Sequence, residues 1–159
     1  MTPQIAYLEI SPRQTGKTTR LVRLANTLKA QGRTVIFVSS MAQDVRRQMP
    51  GVIVLADGEE PAPDVDLEDA VWFYDEFEWL KSTVIRIGGY YSTSPKTVRM
   101  LGAEFAEDDV LMKLLEANGQ HFERHLWFFG LRPDNWFTNT RKEYSPEEFR
   151  LWILGEFLA

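Results

Sequence analysis

The run Ser11-Pro12-Arg13-Gln14-Thr15-Gly16-Lys17-Thr18-Thr19 holds the residue types that grip a polyphosphate. Its spacing follows G-x-x-x-x-G-K-[ST], with Ser11 standing where the first glycine would be. Such a loop surrounds the phosphates with backbone N–H donors and a helix N-terminus. Gly16 lets the backbone approach closely. Lys17 reaches the β- and γ-phosphates as a point charge, and the Thr18 hydroxyl offers a ligand to Mg²⁺. Residues 11–19 are therefore candidate nucleotide-binding residues.

Asp75 and Glu76 are the second constellation. They end an apolar run, Ala70-Val71-Trp72-Phe73-Tyr74, of the kind expected for a strand buried on both faces. The ends of such strands open into the crevice where α/β sheets bind ligands. Neighbouring strand residues point opposite ways. Asp75 is thus expected to serve the Mg²⁺ shell and Glu76 to face an attacking water.

These residues need a scaffold. Residues 4–10 read as the strand before the loop and 17–31 as the helix after it. Leu21, Leu24, Ala25 and Leu28 form an apolar stripe, and Gly32 stands as the C-terminal cap. Further strands are expected at 34–39, 52–55, 70–74, 83–92 and 125–131. Helical pattern runs over 96–118 with a break near Glu107. A last helix begins at Ser145-Pro146-Glu147-Glu148, with Ser145 as N-cap and Glu148 three residues on. The alternation predicts an α/β fold with a mostly parallel central sheet and helices on both faces. Trp72, Trp79, Trp127, Trp136 and Trp152 are expected chiefly in the core, with Trp136 and Phe137 also open to an interface.

The 159 residues, 44% of them hydrophobic, suit one domain spanning 1–159 that needs no disulfide. The absence of cysteine excludes thiol catalysis and Cys-ligated zinc. No apolar run approaches the roughly 18 residues of a membrane span, and no signal-peptide pattern opens the chain. A soluble, cytoplasmic protein is expected. Charge is uneven. Residues 1–50 hold eight Lys/Arg and two Asp/Glu (+6), and 51–159 hold ten and twenty-one (−11). The basic third serves phosphate or a nucleic-acid backbone, or is a solvated surface. The acidic stretch 57–69 reads as an exposed loop. His121 and His125 lack a third ligand at metal spacing.

The 11–19 segment, with its Arg-Gln pair before Gly-Lys-Thr, resembles the Walker A segment of the large terminase ATPases that package DNA into tailed-phage heads. Tyr74-Asp75-Glu76 resembles their Walker B. Tyr91-Ser92-Thr93-Ser94-Pro95 looks like their coupling motif. Tyr144-Ser145-Pro146-Glu147-Glu148-Phe149-Arg150 with Gly155-Glu156-Phe157 is similar to the segment closing their ATPase domain. The resemblance implies a RecA-like P-loop NTPase that hydrolyses ATP with Mg²⁺. Lys17, Glu76 and Arg13 would be catalytic, with Arg13 directed at the γ-phosphate. Ser92 and Thr93 would couple phosphate loss to movement. It also implies double-stranded DNA as an indirect partner, oligomerisation or separate nuclease and portal subunits, and host cytoplasm if the source is viral. Arg99 or Arg132 would be open to a role in trans. The family's adenine-binding segment precedes the first strand, whereas only ten residues precede Ser11 here, which puts base recognition in question; no nuclease domain follows, so no endonuclease activity is expected. Two other readings stay open: a non-catalytic nucleotide-binding module that regulates or assembles a DNA-processing complex, and a small-molecule kinase. Asp75-Glu76 weighs against the kinase, because a water-activating glutamate invites wasteful hydrolysis.

Overall fold

Val35-Ile36-Phe37-Val38 and Val71-Trp72-Phe73-Tyr74-Asp75 are buried at every position, as strands covered on both faces must be. The computed structural model describes residues 4–100, 103–126 and 136–158. Strands β1 (Tyr7–Ile10), β2 (Val35–Val38), β3 (Ile53–Leu55), β4 (Val71–Asp75) and β5 (Tyr90–Thr93) form one sheet in the order β1-β5-β4-β2-β3. Every pairing among them is parallel, so their C-terminal ends share one rim.

The alternation of side chains divides the core. Val35, Phe37, Val71 and Phe73 meet Leu21, Val22 and Ala25 of helix α1 (Lys17–Ala30), and Val45 of α2 (Ala42–Arg46). Ile36, Val38, Tyr74 and Tyr91 meet Leu111, Leu114 and Leu115 of α3 (Val110–Ala117) on the other face. The expected sheet with helices on both faces is present. Helix α1 ends as expected at Gly32, whose φ is 84°. Arg33 N donates to Leu28 O at 3.1 Å and Gly32 N to Lys29 O at 3.0 Å, satisfying carbonyls of the last turn.

Three expected elements differ. The strand expected over 83–92 pairs only at Tyr90–Thr93. Upstream, Tyr91 Oη donates to Val84 O and accepts from Arg86 N. This side chain takes the backbone groups a strand would have offered to a neighbour, and Ile87 is left 83% exposed. The helix expected over 96–118 is limited to α3, with Asp109 as N-cap accepting from Met112 N at 3.2 Å. Before it, Arg99 bonds Glu78 at 2.6 Å and Asp109 at 3.0 Å, and its N–H reaches Phe157 O. These ties hold the segment in an irregular path. They also occupy the guanidinium, which removes Arg99 as a group free to act on a neighbour. The strand expected at 125–131 falls largely outside the described residues, as do Arg132 and Trp127.

Helices α4 (Trp136–Glu143) and α5 (Pro146–Glu148) follow. The side chains of Trp136 and Phe137 lie outside the described residues. The capping box at α5 is present: Glu148 N donates to Ser145 Oγ at 3.1 Å, and Ser145 N to Glu148 Oε2 at 3.4 Å. The chain continues as a π-helical turn over Phe149–Ile153. Among the described residues no helix is long and apolar enough to cross a membrane.

Candidate functional site

Parallel register brings the chemistry together. Ile10 pairs with Thr93, and Ser92 pairs with Asp75, so the 11–19 loop, Ser94 and Glu76 all leave the sheet at one rim. Gln14 and Gly16 carry φ of 57° and 83°, turning the loop back on itself before α1. A side chain at position 16 would be strained at that φ, and its Cβ would come 3.2 Å from the Arg20 guanidinium. α1 then starts at Lys17 with no side-chain cap, leaving its first N–H groups to serve an anion. Gln14, Thr15, Gly16, Lys17, Thr18 and Thr19, with Glu76 across from them, line a cavity of about 220 Å³.

Lys17 is 4% exposed; its Nζ donates to Pro12 O at 2.7 Å and stands 3.3 Å from Glu76 Oε1. Thr15 Oγ1 donates to the same carbonyl at 2.8 Å. Ser11, standing at the glycine position, is fully buried and has a use of its own. Its N–H donates to Thr93 O, and its Oγ accepts from His125 N at 2.9 Å, which fastens the loop entry on both sides.

Thr18 Oγ1 lies 3.0 Å from Asp75 Oδ1, and Ser39 Oγ lies 3.3 Å from Asp75 Oδ2. Burial, aided by the charge of Glu76, pushes the Asp75 carboxyl up to about 6 against the hydrogen bonds of Thr18 and Ser39 and the charge of Lys17. Hard oxygen donors with charge left to neutralise fit a small divalent cation, and Mg²⁺ takes one or two protein oxygens while keeping its waters. Because the folded value lies above the ordinary 3.8, the contribution of Asp75 to stability is complete below that value and is lost as pH rises through about 6. Asp75→Asn is therefore expected to stabilise the metal-free protein near pH 8 by up to about 3 kcal/mol, with the gain vanishing toward pH ~4. Thermal unfolding in chelator across pH checks this.

Glu76 sits at φ 52° and ψ 49°, left-handed backbone that a non-glycine residue keeps only when its surroundings impose it. Ser94 imposes it: its N donates to Glu76 Oε2 at 2.9 Å and its Oγ to both oxygens at 2.9 and 3.1 Å. Thr93 Oγ1 is farther, at 3.4 Å. Ser92 points to the opposite face, beside Asp75 in the register, and its Oγ is buried with no partner among the described residues. Thus Thr93 meets Glu76, Ser92 does not, and Ser94 holds the carboxylate. Ser94 was readable only as part of a strand end; its place after the Ser92-Thr93 pair was the available signal.

Arg13 is not turned into the cavity. Its guanidinium lies 4.1 Å from the centre of the Trp152 ring and 5.6 Å from that of Trp79. The expectation that the tryptophans pack the core holds for Trp72 and fails for Trp79, which is 37% exposed. Two residues of the basic first third are held internally: Arg20 pairs with buried Glu9 at 2.6 Å, and Arg46 bonds Val54 O. His125 meets a carboxylate instead of His121, with Nε2 3.1 Å from Glu123 Oε2 and near Glu9. Both Glu9 oxygens are already taken by Arg20.

The molecule is thus an α/β protein with an all-parallel five-stranded sheet and a loop-and-carboxylate site at its C-terminal rim. Comparison with protein-family models, with curated proteins and with solved structures gave no significant match.

Proposed function

We propose that this chain is a RecA-like P-loop domain that hydrolyses ATP with Mg²⁺, of the terminase motor type, acting on double-stranded DNA within an assembly. One observation carries the reading. Lys17, Thr18 and Glu76 line one cavity at the C-terminal rim of a parallel sheet, and buried Asp75 stands directly behind Thr18. β5 lies between the loop strand and the Asp75 strand. Its end therefore touches both the loop, through Thr93 O, and the glutamate, through Ser94.

In this reading the loop amides and Lys17 bind the β- and γ-phosphates. Thr18 and Asp75 hold Mg²⁺, which supplies charge neutralisation at the phosphate oxygens. Glu76 orients a water and takes its proton, with Ser94 fixing the carboxylate. Lys17 must then exchange its Pro12 carbonyl for phosphate oxygen. Lys17→Ala is expected to weaken ATP binding by at least about tenfold, since a charge-assisted bond is worth roughly 1.5–3 kcal/mol. Titration with a fluorescent ATP analogue checks this.

The deciding experiment is the ATPase rate with and without double-stranded DNA across protein concentration. A rate that rises with concentration indicates subunits completing one another's sites. Tight ATP binding without turnover under every condition favours the non-catalytic module. The Lys17–Glu76 pair at 3.3 Å, which ties the loop cation to the carboxylate, is the observation on that side.

A further inference from the structure

We infer that Trp79 and Trp152 are positioning residues that transmit occupancy of the 11–19 loop to the segment 149–157, and that an occupied loop loosens that segment. The inference rests on the nucleotide-binding reading above.

The contacts form a continuous path. Glu76 is held by Ser94, and the Ser94 carbonyl accepts from Trp79 Nε1 at 3.0 Å. The Trp79 ring lies under the Arg13 guanidinium, whose other neighbour is the Trp152 ring. The two rings stand 6.2 Å apart at 55°, and the cation sits at the mouth of the angle they make, closer to Trp152. The backbone closes the same path, because Arg13 N donates to Trp152 O at 2.7 Å. One turn on, Gly155 touches Pro12 so closely that a Cβ would meet Pro12 Cδ at 2.7 Å and Pro12 N at 2.9 Å. A shift of the loop at Pro12–Arg13 therefore reaches the C-terminal segment directly.

Two features make the arrangement able to change. Arg13 is exposed and bound through its head group by ring faces, a weaker hold than charge-assisted bonds to phosphate oxygens. An anion in the adjoining cavity competes for it. Trp152 Nε1 is also buried with no hydrogen-bond partner among the described residues. An unsatisfied buried donor raises the free energy of the resting arrangement and narrows the gap to another. When Arg13 turns to the phosphates, Trp152 loses its cation, Trp79 keeps only Lys96, and the 149–157 segment loses one of its three ties to the loop.

The test is backbone hydrogen exchange over 149–157 in the full chain, with and without Mg²⁺ and a non-hydrolysable ATP analogue. Binding of the analogue is measured in parallel. Wild type is expected to exchange at least about threefold faster in this segment when the analogue is bound. Trp79→Leu, which removes the ring face and the N–H to Ser94, is expected to bind the analogue yet lose that response. Trp79→Phe, which restores a ring face, is expected to regain it. Bound analogue with unchanged or slower exchange in the wild type overturns the inference and leaves the nucleotide reading standing. Absence of binding overturns both. A Trp79→Leu response equal to wild type removes Trp79 from the path, and the wild-type and Trp79→Phe measurements decide the matter if Trp79→Leu does not fold.

Discussion

Glu76→Gln is expected to lower steady-state ATP hydrolysis by about 10²–10⁴-fold, the range a positioned general base contributes, with ATP still bound. Glutamine has nearly the same shape, so Ser94 N and Oγ can still donate to its side-chain oxygen and hold the residue at its left-handed φ. What is lost is the basic oxygen that takes the proton and the anionic partner of Lys17 at 3.3 Å. Releasing Lys17 from that carboxylate also removes a competitor of phosphate, so binding of ATP is expected to hold or tighten. Phosphate-release kinetics and analogue titration on the same sample separate the two effects. Wild-type turnover in this variant would remove Glu76 from the chemistry.

Arg20→Met is expected to destabilise the fold by about 3–5 kcal/mol, the cost of leaving a buried charge uncompensated. Glu9 is fully buried on β1, and Arg20 meets its oxygens at 2.9 and 2.6 Å while Tyr7 Oη donates at 2.8 Å. Burial alone would raise the Glu9 carboxyl; hydrogen bonds from Arg20, Ser11 and Tyr7 outweigh it and hold the group below the ordinary carboxylate range. With Arg20 gone, the bonds from Ser11 and Tyr7 remain, but the burial effect loses its largest opponent and Glu9 its only opposite charge among the described residues. Adding Glu9→Gln to Arg20→Met is expected to recover much of the loss, because no charge then remains to be desolvated. Denaturant unfolding of the two single variants and the double variant measures the coupling.

Glu9 also shows what the sequence did not make legible. In Gln4-Ile5-Ala6-Tyr7-Leu8-Glu9-Ile10 it looks like the polar member of a half-buried strand. Its partner, one helical turn beyond Gly16, becomes visible only when α1 folds back over the sheet. Local signals were sufficient elsewhere. The Gly32 cap, the Ser145–Glu148 box, and the buried runs of β2 and β4 were each specified by nearby residues. The strand expected over 83–92 shortens because the apolar residues Val84, Ile85 and Ile87 cannot reveal that Tyr91 Oη satisfies the local backbone. The 96–109 segment was misread because Arg99 is committed to Glu78 and to Phe157 O, partners far along the chain. At the site, spacing identified the loop and the Asp75-Glu76 pair. The grip of Ser94 on Glu76 and the seating of Arg13 against two indoles depend on tertiary packing, which spacing does not encode.

The fastening of Ser11 to His125 and of Arg13 to Trp152 O also sets an order of events during synthesis. The loop is made early, yet two of its anchors emerge more than a hundred residues later. Closing such long spans has an entropic cost that local contacts avoid. A nascent chain that has not reached His125 holds the whole 11–19 segment with its entry still unpinned on that side. If the loop takes a nucleotide as proposed, competence to do so is expected only once Trp152 has emerged, which would spare a shorter nascent fragment from premature ligand capture.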